Sequence, residues 1–212
     1  MIDKPLEWTS FDVVKKIRGA LKIKKVGHAG TLDPLATGLL IICAGKSTKR
    51  IGEYQGLPKK YTGKLVLGKT TPSVDLETEF DSESDYSKVT EEDLLGVVKE
   101  FTGDLMQIPP MYSAIKIDGQ RAYKLARRKE EIKLKPRQVT VSRFEIKVTQ
   151  FPEVRFEIEC SKGTYIRSLV RDLGQKVGCG AYMSELRRTA IGDFGIENSY
   201  PLKEFISQLQ SS

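Results

Sequence analysis

The longest uninterrupted apolar run in the chain is LLIICA at 39–44, six residues. That length rules out a membrane-spanning helix, which needs about 20 apolar residues, and it reads as a buried β-strand. Such a strand needs neighbours, and the sequence supplies them. In VRFEIEC, Val154, Phe156, Ile158 and Cys160 alternate with Arg155, Glu157 and Glu159, the pattern of a strand with one covered face. KYTGKLVLG at 60–68, MYSAIKI at 111–117 and VTVSRFEIKV at 139–148 read as further strands.

Helical signals lie between them. Thr9 with Asp12 forms a capping box ahead of Val13, Ile17, Ala20 and Leu21, which predicts a helix over Phe11–Leu21. Thr90 with Asp93 predicts a second, running to Phe101 and stopped by Gly103. TYIRSLVRDLGQKVG predicts a third, with Ile166, Leu169, Val170 and Leu173 on its apolar side and Gly178 ending it. Residues 70–90 are polar and acidic and read as a surface loop. The mixture predicts a mixed α/β domain, and 212 residues suffice for one domain with a real core.

Charge narrows the function. The chain carries 35 Lys and Arg against 28 Asp and Glu, a formal +7, which favours polyanionic partners such as nucleic acid. MIDKPLEW has no apolar signal segment, so the chain reads as cytoplasmic, with no membrane contact. Cys43, Cys160 and Cys179 are odd in number and lack a C-x-x-C pair, which argues against a disulfide framework and a structural zinc and predicts buried reduced thiols. GKST at 45–48 ends like a phosphate-binding loop, but Leu40 stands where that motif needs glycine. No G-x-G-x-x-G follows a strand, so a dinucleotide site and a methyltransferase cofactor loop are both unsupported. His28, the only histidine, has no second ligand nearby. Neither metal nor cofactor is expected.

One segment concentrates the chemistry. GHAGTLDPLATG at 27–38 holds His28, three glycines, Pro34 and a single carboxylate, Asp33. Asp33 precedes proline and is biased to extended backbone, while the glycines permit turns that a β-carbon would obstruct. Such a loop can bring a carboxylate close to a ligand; it can equally be plain turn chemistry.

GTLDPLATG resembles the catalytic loop of the bacterial TruB-type tRNA pseudouridine synthase family. The resemblance continues through IDKP at 2–5, KKY at 59–61, IPPMYSAIKIDGQRAYKLAR at 108–127, CSKGTYIRSLVRDLG at 160–174 and LRRTAIG at 186–192. It implies an α+β pseudouridine synthase fold, a largely antiparallel mixed sheet flanked by helices with a central cleft. Residues 1–212 would form the catalytic domain, with an RNA-gripping insertion at about 105–135. The PUA-like domain that commonly follows in the family is expected to be absent, since the chain ends about twenty residues after LRRTAIG.

The implied activity is a cofactor-free isomerisation of uridine 55 in the TΨC loop of tRNA, performed by a monomer on the T-arm stem-loop. Asp33 matches the catalytic carboxylate, which could attack C1′ or remove the 2′ proton to form a glycal. Tyr61 matches the residue that stacks on the flipped base, Tyr165 a base contact, and Arg167 the partner of Asp33. Leu186 matches a pocket wall whose main chain meets the uracil edge, and Lys4 a brace for the loops. His28 matches a residue that stacks near the flipped nucleotide, and Asp75 a contact to flipped or neighbouring bases. Lys22, Lys24, Lys25, Arg127, Arg128, Arg187 and Arg188 are candidate phosphate contacts. A non-catalytic RNA-binding module would share the charge and the aromatics but would have no use for a carboxylate set against a polyanion.

Overall fold

The computed structural model describes residues 1–113, 115–117, 120–128 and 134–210. The chain divides into two compact units, Met1–Thr62 with Glu185–Ser212, and Gly63–Ser184. The elements of the first are β1 (Ile2–Lys4), α1 (Ser10–Leu21), β2 (Val26–Ala29), β3 (Ala36–Ala44) and α2 (Ile51–Gly56). β4 (Lys59–Leu67) then leads into the second unit, which holds β5 (Lys69–Thr70), β6 (Ser82–Glu83), α3 (Glu91–Glu100), β7 (Gly103–Gln107), β8 (Lys116–Ile117), β9 (Gln120–Arg121), α4 (Ala122–Arg127), β10 (Arg137–Gln150), β11 (Glu153–Cys160) and α5 (Ile166–Lys176). β12 (Ala181–Ile191) returns to the first unit, followed by β13 (Phe194–Gly195), β14 (Tyr200–Pro201) and α6 (Leu202–Gln210).

In the first unit the strand order is β14–β1–β3–β12, with β3 antiparallel to β1 and β2 and parallel to β12. The packing explains why LLIICA is unbroken. Leu40 joins Ile2, Val13, Val14, Ile17 and Ile206 in one core cluster, while Leu39, Ile41 and Cys43 join Ala29 and Ile191 in another. Successive side chains of a strand point to opposite faces, so a strand covered on both faces needs apolar residues at every position.

In the second unit the start of β12 is followed in order by β4, β11, β10 and β7. β10 and β11 pair antiparallel, with Phe144 opposite Ile158 and Ile146 opposite Phe156. β11 keeps the expected alternation, burying Val154, Phe156, Ile158 and Cys160. α3 packs on β10 and α5.

The α+β class and its largely antiparallel mixed sheet are as the resemblance implies. Both capping boxes form, Thr9 with Asp12 and Thr90 with Asp93. The three cysteines are buried and not joined in disulfides, and no described helix is long and apolar enough to cross a membrane. Two readings need correction. The 70–90 segment is not wholly a surface loop, because Thr71, Ser73 and Asp75 are buried in it. MYSAIKI yields a strand only at Lys116–Ile117, and its Ala114 lies outside the described residues. Residues 118, 119 and 129–133 of the expected insertion lie outside them too.

Candidate active site

Asp33 sits between β2 and β3, which form a hairpin with His28 opposite Ile42 and Ala29 opposite Ile41. The Ala36 N–H donates to the Asp33 carbonyl at 3.1 Å, closing a four-residue turn. Pro34 takes its second position, where a fixed φ is pre-organised. Gly38 is required just beyond: its φ is +104°, and a β-carbon there would lie 2.3 Å from the Arg188 carbonyl oxygen on the paired strand. Asp33 itself is half-buried.

Buried side chains from distant positions fix the main chain of this turn. The Ser10 hydroxyl donates to the Leu32 carbonyl at 3.2 Å and accepts from the Leu32 N–H at 2.8 Å. Arg188, only 1% exposed, donates to the carbonyls of Gly30 (3.1 Å) and Leu39 (2.8 Å). Lys4, fully buried, donates through Nζ to the carbonyls of Pro5 (2.8 Å), Trp8 (2.6 Å) and Pro34 (3.1 Å). The Glu7 N–H reaches the Pro34 carbonyl as well, at 2.9 Å. Burial brings the Lys4 ammonium down to about 8; the charge of Asp33 opposes this and that of Arg188 adds to it.

The other sequence-derived candidates of the first unit stand on the strands around this turn. His28 is half-buried in β2, and burial, against a hydrogen bond with the Gly30 main chain, lowers its pKa below the ordinary value. Tyr61 is buried in β4. Leu186 is buried in β12 with its main chain opposite Ala36.

The basic residues divide. Arg187 pairs with Asp3 through two contacts of 3.1 and 2.6 Å. Lys59 caps α2 by donating to the carbonyls of Gln55 and Leu57. Arg188 is corrected outright as a phosphate contact, because it is buried and held by carbonyls. Lys22, Lys24, Lys25 and Arg128 are exposed; the side chain of Arg127 lies outside the described residues.

The second unit carries Asp75, Tyr165 and Arg167. Arg167 and Asp75, each 3% exposed, form an ion pair of 3.6 Å. Arg167 also donates to the carbonyls of Ser73 (2.8 Å) and Tyr112 (2.7 Å), and the Asp75 carboxylate accepts from the Glu77 N–H at 3.0 Å. The segment before Asp75 is bent through Val74, whose φ of +64° is rare for a β-branched residue. The hydroxyls of Thr71 and Ser73 hold it by donating to the Asp75 carbonyl. Tyr165 is the N-cap of α5 and is half-buried.

Within each unit, then, candidate residues come together: Lys4 with the turn of Asp33, as the resemblance implies, and Asp75 with Arg167, a pairing that the sequence reading did not offer. Ser10, which grips the main chain next to Asp33, and Gln107 and Arg137, which grip the main chain and the ring of Tyr165, went unseen in the sequence. A serine at a helix start and a glutamine closing a strand are too common to signal this, and only their long-range partners give them away.

Residues 18–166 match the family model described as TruB family pseudouridylate synthase (N terminal domain), and residues 167–211 that of the tRNA pseudouridylate synthase B C-terminal domain. The chain is 48% identical over 217 residues to the tRNA pseudouridine synthase B of Flavobacterium johnsoniae, covering 99% of this chain and 95% of that protein. It is 49% identical over 201 residues to the protein of that name in Clostridium tetani, covering 95% and 70%. Among solved structures it is similar to a chain of a Cbf5-Nop10-Gar1 complex, with a TM-score of 0.74, 30% identity and 97% of this chain covered. A chain of an H/ACA RNP bound to a substrate RNA containing 2′-deoxyuridine gives 0.72, 29% and 97%. This chain spans about half the length of those two, 52% and 51%.

Proposed function

Because the chain belongs to the TruB family of pseudouridylate synthases, we propose that it isomerises uridine 55 in the TΨC loop of tRNA, with Asp33 as the acting carboxylate. The observation that carries this reading is the anchoring of the Asp33 turn. Gly30, Leu32 and Pro34 are each tied by a buried side chain, so the one carboxylate of the loop stands on a backbone that need not reorganise during reaction. The charge of Asp33 in turn favours the ammonium form of Lys4.

The reaction breaks the N1–C1′ bond, turns the uracil and forms C5–C1′, and the hydrogen on C5 leaves as a proton. Asp33 either attacks C1′ or takes the C2′ proton, and both routes stay open. The target base must leave its stack to expose C1′. Tyr61 replaces part of the lost stacking, worth about 1–3 kcal/mol per base. Tyr165 and the Leu186 main chain meet the base, and His28 meets its neighbours, while Asp75, 3% exposed and paired with Arg167, acts by holding Arg167 and not on the RNA. Recognition then rests on the T-arm stem-loop, met by a monomer in the cytoplasm.

The test uses tRNA tritiated at uridine C5. One tritium should be released per site converted, an isolated T-arm stem-loop should react, and Asp33→Asn should bind RNA as before with no release. Turnover by a contamination-free Asp33→Asn preparation would refute the role of Asp33. An inert stem-loop beside a reactive tRNA would refute the T-arm reading alone.

A further inference from the structure

β7 and β10 place Gln107 directly opposite Arg137, and opposite residues of an antiparallel pair project to the same face of the sheet. Both reach the same turn. Gln107 is 2% exposed, and its side-chain amide engages both main-chain groups of Tyr165. Its Oε1 accepts from the Tyr165 N–H at 2.8 Å and its Nε2 donates to the Tyr165 carbonyl at 3.1 Å, as a neighbouring strand would. Arg137 donates to the Gly163 carbonyl, and its guanidinium carbon lies 4.2 Å from the centroid of the Tyr165 ring.

Position explains why this matters. Tyr165 is the N-cap of α5 and has no side-chain cap of its own. Its main chain approaches in a turn where Gly163 is left-handed, with φ +82°. A residue at such a junction has few local restraints on where its ring points, since the helix begins only after it. The cross-strand pair supplies two restraints, one on the main chain and one on the ring plane.

We propose that Gln107 and Arg137 form a clamp that positions Tyr165, fixing its ring with one face on the guanidinium and the rest turned to the substrate base. Neither residue touches the reacting atoms; both act through Tyr165. The clamp rests on the reading of Tyr165 as a base contact. Loss of the clamp then slows the chemical step without weakening the grip on RNA, because the ring is still present but samples other orientations.

The experiment measures single-turnover rates and tRNA affinity for the full chain carrying Gln107→Leu, Arg137→Met, Tyr165→Ala, and each of the first two combined with the third. Gln107→Leu and Arg137→Met should each lower the rate about tenfold with affinity unchanged, and neither should lower it further once Tyr165→Ala is present, since residues acting through one another are not additive. Losses that multiply in the double variants would overturn the clamp. So would weaker binding at an unchanged rate, which would make Arg137 a phosphate contact instead. A Tyr165→Ala protein that reacts at the wild-type rate would sink the underlying reading, a result visible without either clamp variant. Should Gln107→Leu fail to fold, Arg137→Met, at a half-exposed side chain, decides the matter by itself.

Discussion

Lys4 and Arg188 in the first unit and Arg167 in the second are all buried to 3% exposure or less, yet they are compensated differently. Lys4 meets three main-chain carbonyls and Arg188 two. Arg167 meets two carbonyls as well, but a buried carboxylate, Asp75, stands beside it. A buried cation costs several kcal/mol unless its surroundings answer it. In the first unit most of the answer comes from the peptide backbone, with the charge of Asp33 adding to it at Lys4, so the cations fix the path of the chain around Asp33. In the second unit part of the answer is an ionised side chain, so fold and charge stand or fall together.

The difference predicts unequal outcomes for charge removal, and this is the largest effect expected. Arg167→Met leaves Asp75 buried without its cation and should cost about 3–5 kcal/mol of folding stability. Asp33→Asn alters a half-exposed group on a turn already held by Ser10, Lys4 and Arg188, and should cost about 1 kcal/mol or less. Urea unfolding of the two proteins gives the answer. If they lose stability equally, the Asp33 turn depends on its own charge, and the contrast between the units disappears.

The same contrast explains what could be read in advance. β11 and the capped helices were legible because their signals are local: alternation in VRFEIEC, and a Thr with an Asp three residues on. β12 was not, since Arg188 occupies an inward position where alternation demands an apolar residue, and its buried guanidinium pairs with carbonyls that the sequence cannot bring near. The segment around Asp75 looked like solvated loop for the same reason. Thr71, Ser73 and Asp75 are polar, and their burial is offset by hydrogen bonds among them and by those with Arg167, Glu77 and Thr78. Asp33, Tyr61 and Arg167 could be named through resemblance, whereas Ser10 and Gln107 act over 22 and 58 residues of sequence, and no pattern within a window reports such partners.

A smaller effect sharpens the comparison through pH. Burial lowers the Lys4 ammonium from 10.5 to about 8, so between those values the unfolded chain holds a proton that the folded chain has released. Stability from this group therefore rises with pH across that window. Below pH 8 the folded protein carries a penalty of about 3 kcal/mol, relieved by pH 10.5. Function should move the other way. An ammonium has three N–H groups for its three carbonyls and a neutral amine only two, and the positive charge beside Asp33 is lost. Turnover should fall above pH 8 while the stability of the wild type rises relative to Lys4→Met, as denaturant titrations at pH 7, 8, 9 and 10 would show. Parallel movement of rate and stability would mean that Lys4 only supports the fold.

The smallest effect pits two residues with the same backbone conformation against each other. Glu7 and Val74 have φ values of +65° and +64°, a region that costs an L-residue about 1–2 kcal/mol and that glycine enters freely. Glu7 is exposed, and its contribution to the Asp33 turn is a main-chain one, the N–H donated to Pro34. Glycine preserves that bond, so Glu7→Gly should leave turnover unchanged and raise stability by up to about 1 kcal/mol, the strain relieved being partly offset by the freer unfolded chain. Val74 is 7% exposed. Its side chain is buried, and burial of a valine is worth about 1.5–3 kcal/mol. Val74→Gly should therefore lose stability on balance, despite the same relief of strain. Urea midpoints for both variants settle the sign. If Glu7→Gly destabilises as Val74→Gly does, the Asp33 turn needs the Glu7 side chain after all, and a main-chain scaffold is the wrong account of the first unit.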